Sequence, residues 1–176
     1  MHTRKHHQTR AGAARPNAER HGVAQLQAAE VPDARVAVIA STFNAAIVER
    51  LVDGALGVLT GHGIDPANIL LLQVPGAWEL PQAAQRIAAA GNWQAIVALG
   101  CVIRGETSHY EVIVNESARG LMQVALDRGI PVANGVLACH DEEQALARAG
   151  GGEGNKGAEA AEAALEMLGI LRAAAV

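Results

Sequence analysis

Four short runs of almost unbroken apolar residues constrain this chain more than any other feature: RVAVIA at 35–40, ILLLQV at 69–74, AIVALG at 95–100 and PVANGVL at 131–137. A strand with one wet face alternates apolar and polar residues, whereas continuous apolar runs of this length describe strands covered on both faces, as in a parallel sheet. Parallel strands need long crossovers, and the gaps between the runs carry helical patterns. Ile47, Val48, Leu51, Val52, Ala55, Val58 and Leu59 recur at helical spacing until Gly61-His62-Gly63 stops them. Further helices are expected at about 79–90, 109–128, 142–149 and 157–171. The last has Glu159, Glu162 and Glu166 on a solvated face and Leu165 and Leu168 on another. Strand–helix units joined by right-handed crossovers predict the α/β class, as a doubly wound parallel sheet sandwich with helices on both faces. Ligands of such a fold sit beyond the carboxyl ends of the strands.

Composition narrows the possibilities further. The 176 residues suit one domain, and aromatics are only 2% of the chain, so the core must be built from small aliphatic side chains. Each aromatic therefore invites a specific explanation. A net charge of −4 argues against nucleic acid or an anionic membrane as partner, and no apolar run approaches the ~20 residues that span a bilayer. Residues 1–22 hold five Lys/Arg, one acid and four of the seven histidines, without an apolar period. Residues 1–32 are thus expected to form a basic, disordered arm, and 33–176 the folded domain. The arm lacks the apolar core of a secretory signal, and Cys101 and Cys139 sit in apolar stretches, without C-x-x-C spacing. Buried free thiols, no metal site and a cytoplasmic setting follow as expectations.

The richest segment runs from Gly100 to Glu111, GCVIRGETSHYE: it leaves a buried strand, turns at Gly105 and opens a long helix. Ser108 followed by Glu111 has the spacing of a capping box, which starts the helix near His109 and turns the free amides of 106–108 toward the crevice. That arrangement suits a phosphate. The positive helix end disfavours a second positive charge on His109, fitting its imidazole to act as a base; the alternative is a polar residue at a helix start. Arg104 is either a phosphate contact or half of a structural ion pair.

A second strand end carries VPGAWELP at 74–81, where Pro75-Gly76 forces a turn and Pro81 fits the first turn of a helix. Trp78 beside Glu79 would suit a planar nitrogen heterocycle, or the pair is a core indole with a helix-start acid. The first strand ends at Ser41-Thr42-Phe43-Asn44, with the only phenylalanine at the crevice and Asn44 as a helix N-cap. GGGEGNKG at 150–157 fails the phosphate-loop pattern and follows a helix, so it is read as a glycine-rich connection with Lys156 as a ligand contact.

Together, FN at 43–44, VPGAWELP at 74–81, ALGCVIRGETSHYE at 98–111, GVL at 135–137, EQALARAG at 143–150 and GNKGAEAA at 154–161 resemble the lumazine synthase family, over roughly 33–171. The resemblance implies a flavodoxin-like sandwich and an enzyme, a transferase of riboflavin biosynthesis. Its two small-molecule substrates would be 5-amino-6-(D-ribitylamino)uracil and 3,4-dihydroxy-2-butanone 4-phosphate. It implies that Phe43, Asn44, Ala77, Trp78, Glu79, Val102 and Ile103 meet the pyrimidine and its ribityl chain. Glu106 and Thr107 would hold the phosphate, and His109 would move protons. From an adjacent subunit, Arg148 would reach the phosphate, and Lys156 and Asn134 the pyrimidine. Neither a redox nor a metal cofactor is implied. Family members form pentamers, and a connection as short as 148–157 is the kind found in icosahedral 60-mer shells. The family commonly has an arginine at Thr42, an aromatic at Asn134 and threonines at Ala138 and Cys139, departures that predict altered affinity. A non-catalytic flavin-binding or shell-forming homologue is the alternative. An electron carrier of the same fold is disfavoured, because 40–44 lacks a glycine-rich phosphate loop.

Overall fold

The computed structural model describes residues 26–175; most of the segment expected to be a basic arm lies outside the described residues. Four of the strands, β1 (Val36–Ser41), β2 (Ile69–Val74), β3 (Ala95–Ile103) and β4 (Val132–Cys139), form one sheet in the order β2-β1-β3-β4. All three pairings are parallel. Between them run α1 (Ala45–Gly61), α2 (Leu80–Ala89) and α3 (His109–Arg128), followed by α4 (Glu142–Arg148) and α5 (Lys156–Ala174). The chain is therefore α/β, with helices on both faces.

Alternation along β1 builds the two layers. Val36, Val38 and Ala40 join Leu51, Leu59, Ala161 and Leu165 under α1 and α5, while Ala37 and Ile39 join Leu80, Ala84 and Leu121 under α2 and α3. Along β1 and most of β3 both faces are covered, which is why those two runs carry no polar alternation. Small residues set the helix spacing, as the aromatic-poor composition requires. At Gly157 a Cβ would lie 2.0 Å from the Leu51 carbonyl oxygen, so α1 and α5 meet backbone to backbone. At Gly169 a Cβ would lie 2.2 Å from the Ala29 carbonyl oxygen, and the Ala29 N–H donates to the Gly169 oxygen at 3.1 Å. Val31 is buried as well, so the residues just before the domain are packed along α5. Arg172 secures the same end, donating to Asp33 at 2.8 Å and to Gln94 at 3.2 Å.

Helix ends follow local chemistry. α1 closes with Gly63 at φ 81°; the Gly63 N–H donates to Thr60 O and the Ile64 N–H to Leu59 O, while Leu59 and Ile64 bury their side chains. This is a Schellman stop, and it places the helix end where the Gly61-His62-Gly63 signal predicts. Asp141 caps α4 by accepting from the Gln144 N–H, and Asn155 caps α5 by accepting from Gly157 and Ala158. The glycine-rich connection is ordered: β5 (Ala149–Gly151) and β6 (Gly154–Asn155) make a small antiparallel hairpin.

Three expectations need correction. ILLLQV is not buried on both faces: β2 is an edge strand, with Leu71 47% and Leu72 37% exposed. An apolar run alone does not distinguish an edge strand from one with neighbours on both sides. β3 and β4 run to Ile103 and Cys139, beyond the predicted Gly100 and Leu137, because Val102 and Ile103 find ladder partners in Ala138 and Cys139. The capping box does not form either, since Ser108 makes no side-chain cap bond. Glu111 is drawn instead to Arg104, whose guanidinium donates to it at 2.7 Å, a charge-assisted bond that outcompetes a neutral amide. Among the described residues no helix is long and apolar enough to cross a membrane.

Candidate active site

The strand order reverses direction at β1, whose successors lie on opposite sides of it, so the crevice between the ends of β1 and β3 is the topological switch point. Asn44 sits there. It is the one non-glycine described residue with positive φ, at 57°, and its Nδ2 donates to the Cys101 carbonyl at 3.0 Å, tying the exit of β1 to β3. It therefore precedes α1 without acting as the expected side-chain cap. Its amide is spent across the sheet, and asparagine tolerates the left-handed backbone better than most residues. Ser41, at the last position of β1, has a buried hydroxyl without a hydrogen-bond partner, facing Gly100 of β3.

From this rim the candidate residues project outward. Phe43 is 67% exposed and Trp78 53%, so two of the chain's four aromatics stand in solvent at adjacent strand ends while the core is filled with aliphatics. Exposure settles the alternative left open for Trp78: it is not a core indole. It rides on a short 3-10 turn, Ala77–Glu79, with Ala77 buried beneath it and the Glu79 carboxylate folded back toward Gly76. The Thr42 and Phe43 N–H groups donate to the Val74 and Pro75 carbonyls, locking these two strand exits together.

The third exit carries the anion-site candidates. Val102 and Ile103 are half-buried, and Glu106, Thr107, Ser108 and His109 are exposed. Thr107, not Ser108, supplies a side-chain acceptor here: its Oγ1 accepts from the His109 N–H at 3.4 Å where α3 begins. Arg104 resolves toward an ion pair, bonded to Glu111 with its guanidinium over the Tyr110 ring. It thus stiffens the loop on which Glu106 and Thr107 sit.

The remaining candidates lie elsewhere on the chain. Asn134 pairs with Ala98 in the ladder, five residues before the Ile103–Cys139 strand end, which is roughly 16 Å along the strand. With Lys156 and Glu159 it lines an open depression of about 330 Å³ between the outer edge of β4 and the start of α5. The Lys156 ammonium is held by both carboxylate oxygens of Glu159, at 2.7 and 2.8 Å. The helical pattern puts Glu159 on a solvated face, and its i,i+3 spacing from Lys156 is the sequence signal for this pair. Arg148, at the end of α4, donates to the Gln144 carbonyl at 3.0 Å. Burial pushes the Cys139 thiol up from its ordinary value and the Arg148 charge pulls it back, which places that guanidinium beside the end of β4. Neither group of residues is enclosed, and a wider, mostly apolar depression of about 870 Å³ is a groove between α3 and α5 that touches none of the rim residues.

Cys101 and Cys139 are free and buried, as expected. Burial, with the neighbouring Cys139, pushes the Cys101 thiol up to about 12, so it is protonated and unreactive at neutral pH.

A family model described as 6,7-dimethyl-8-ribityllumazine synthase matches residues 33–172, and so contains every candidate residue of both groups. The chain belongs to that family. Proteins named 6,7-dimethyl-8-ribityllumazine synthase include one from Stenotrophomonas maltophilia, 57% identical over 138 residues, covering 78% of this chain and 89% of that protein. Another, from Xanthomonas oryzae pv. oryzae, is 54% identical over 140 residues, 80% and 91% of the two chains. A third, from Xanthomonas campestris pv. campestris, is 54% identical over 138 residues, 78% and 90%. Identity at this level over most of both chains makes the lumazine synthase fold and the α/β sandwich the same finding.

Proposed function

We propose that the protein condenses 5-amino-6-(D-ribitylamino)uracil with 3,4-dihydroxy-2-butanone 4-phosphate, giving 6,7-dimethyl-8-ribityllumazine, phosphate and water in riboflavin biosynthesis. The observation that carries this reading is the exposed rim at the switch point, where a phenylalanine, a tryptophan and a glutamate stand beside an exposed loop leading into a 20-residue helix. Phe43 and Trp78 offer flat apolar faces to the pyrimidine, with Asn44, Ala77, Glu79, Val102 and Ile103 shaping the slot for it and the ribityl chain. Glu106 and Thr107 position the phosphate at the start of α3, where the helix dipole favours negative charge.

The chemistry asks little beyond positioning and proton transfer. The pyrimidine's primary amine attacks the ketone, water leaves to give an imine, a neighbouring carbon loses a proton and phosphate departs. Ring closure by the ribityl-bearing nitrogen then releases a second water. His109 moves the proton, and Arg148 with the helix end stabilises the departing phosphate. Holding two substrates together supplies much of the acceleration.

The same reading places Arg148, Asn134 and Lys156 in the site of a neighbouring subunit. The spacing supports this, since Asn134 lies far down β4 from the rim of its own chain. The exposed Leu71 and Leu72 on β2, and Met122 and Leu126 along the α3–α5 groove, are apolar surface that self-association into a pentamer would cover. The short β5–β6 hairpin favours further closure into an icosahedral shell.

Mixing the purified protein with both substrates and following the fluorescent lumazine tests the assignment. Product should form in the wild type, and His109→Ala and Arg148→Ala should each slow it by about 100-fold or more. Product at the uncatalysed rate from a folded assembly would sink the enzyme reading.

A further inference from the structure

Lys156 is electrostatically misplaced. It is the first residue of a 19-residue helix, where the free N–H groups and the dipole oppose a positive charge. Local rules are broken in this way chiefly at functional positions, and something nearby must hold the ammonium in place. Glu159 does so, one turn along the same face, with both oxygens on the Lys156 ammonium. It also supplies the acid that the first turn of α5 favours. Asn134, on the facing strand, completes the polar wall of the depression, its Oδ1 already accepting from the Val136 N–H at 3.0 Å.

We infer that Glu159 is a positioning residue for binding the pyrimidine substrate, acting through Lys156. It directs the ammonium across the subunit boundary, toward the carbonyl edge of the heterocycle held by the neighbour's rim. This rests on the proposed function, and on Lys156 serving the pyrimidine rather than the sugar phosphate. Glu159 does not touch the reacting atoms, so its loss weakens capture of one substrate and leaves the chemical step alone. The pair is about half exposed on the glutamate side, which limits the effect to a moderate one.

The test measures KM for each substrate and kcat in Glu159→Ala, Glu159→Asp, Lys156→Ala and the double variant, with assembly size checked for each. Glu159→Ala should raise KM for the ribitylamino-pyrimidine by roughly fivefold, leaving kcat and KM for the butanone phosphate within about twofold. Glu159→Asp, which keeps the charge, should recover part of the loss. The double variant should be no worse than Lys156→Ala alone, because the two residues act as one unit. An unchanged pyrimidine KM in Glu159→Ala, beside a raised one in Lys156→Ala, would overturn this inference and leave the site assignment standing. Losses that add in the double variant, or a raised KM in Glu159→Ala with none in Lys156→Ala, would also overturn it. Absence of product from the wild type would instead strike the function on which it rests.

Discussion

Replacing Gly157 by alanine sets two effects of opposite sign against each other. Alanine is favoured over glycine by about 0.8–1 kcal/mol inside a helix, an upper bound for Gly157, the second residue of α5. Against that, the new Cβ would stand 2.0 Å from the Leu51 oxygen, 2.6 Å from its carbonyl carbon and 2.8 Å from its Cα. Those are backbone atoms in the second turn of α1, so no side-chain rotation relieves the clash. The helices must part by about 1.4 Å, enough to strip contacts from the layer beneath them. Overpacking of this kind costs about 1–3 kcal/mol, and a backbone obstacle belongs at the upper end, leaving a net loss of about 2 kcal/mol. Gly57, on the exposed side of α1, has nothing within 4 Å of its would-be Cβ, so Gly57→Ala should gain about 1 kcal/mol. Urea denaturation at one fixed protein concentration should therefore move the two midpoints in opposite directions with similar slopes. Product formation should fall only in Gly157→Ala, whose displaced first turn carries Lys156. A Gly157→Ala protein as stable as its parent would refute the close-crossing argument.

Other outcomes follow from the open surfaces and the buried thiols. Leu126→Glu places a charge on a side chain that is 72% exposed in the α3–α5 groove; sedimentation should show a smaller species with unchanged circular dichroism and product near background. An assembly of unchanged size would clear that groove of any part in self-association. Cys101 should resist a thiol-specific disulfide reagent at pH 8 in the folded protein and react once urea unfolds it. Because its folded value of about 12 lies above the ordinary 9.0, its contribution to stability is complete below pH 9 and drains away as pH rises toward 12. Stability that rose over that alkaline window in the wild type, relative to Cys101→Ala, would contradict the sign.

The strands and helices were legible because burial on both faces leaves an apolar run that no single-faced strand produces, and helical period marks what joins the runs. The same logic misjudged β2. Leu70, Leu71 and Leu72 carry the composition of covered residues, but in one chain only the β1 side of that strand has a neighbour. Capping signals misled where a stronger partner was available. Glu111 has Arg104 within reach, and Asn44 has the Cys101 carbonyl across the sheet, so neither performs the local role its spacing suggests. Phe43, Trp78 and His109 could be placed at strand ends from turn signals alone. The separation of Asn134 from that rim could not, because it depends on the β3–β4 register, which PVANGVL does not specify.

The packing of Ala29 against Gly169 brings the two ends of the described chain together. From Gly169 only five residues of α5 remain, to Ala174, about 8 Å of helix, and Arg172 is already bonded to Asp33. Topologically the domain is close to a ring with a single seam, and that seam lies at the amino ends of the strands, away from Phe43, Trp78 and His109. A few added residues would close it, so the domain is suited to circular permutation, with new ends opened in the exposed Gly152 turn of the hairpin. Anything joined at that seam of the described chain would depart from the end of the sheet opposite Phe43, Trp78 and His109.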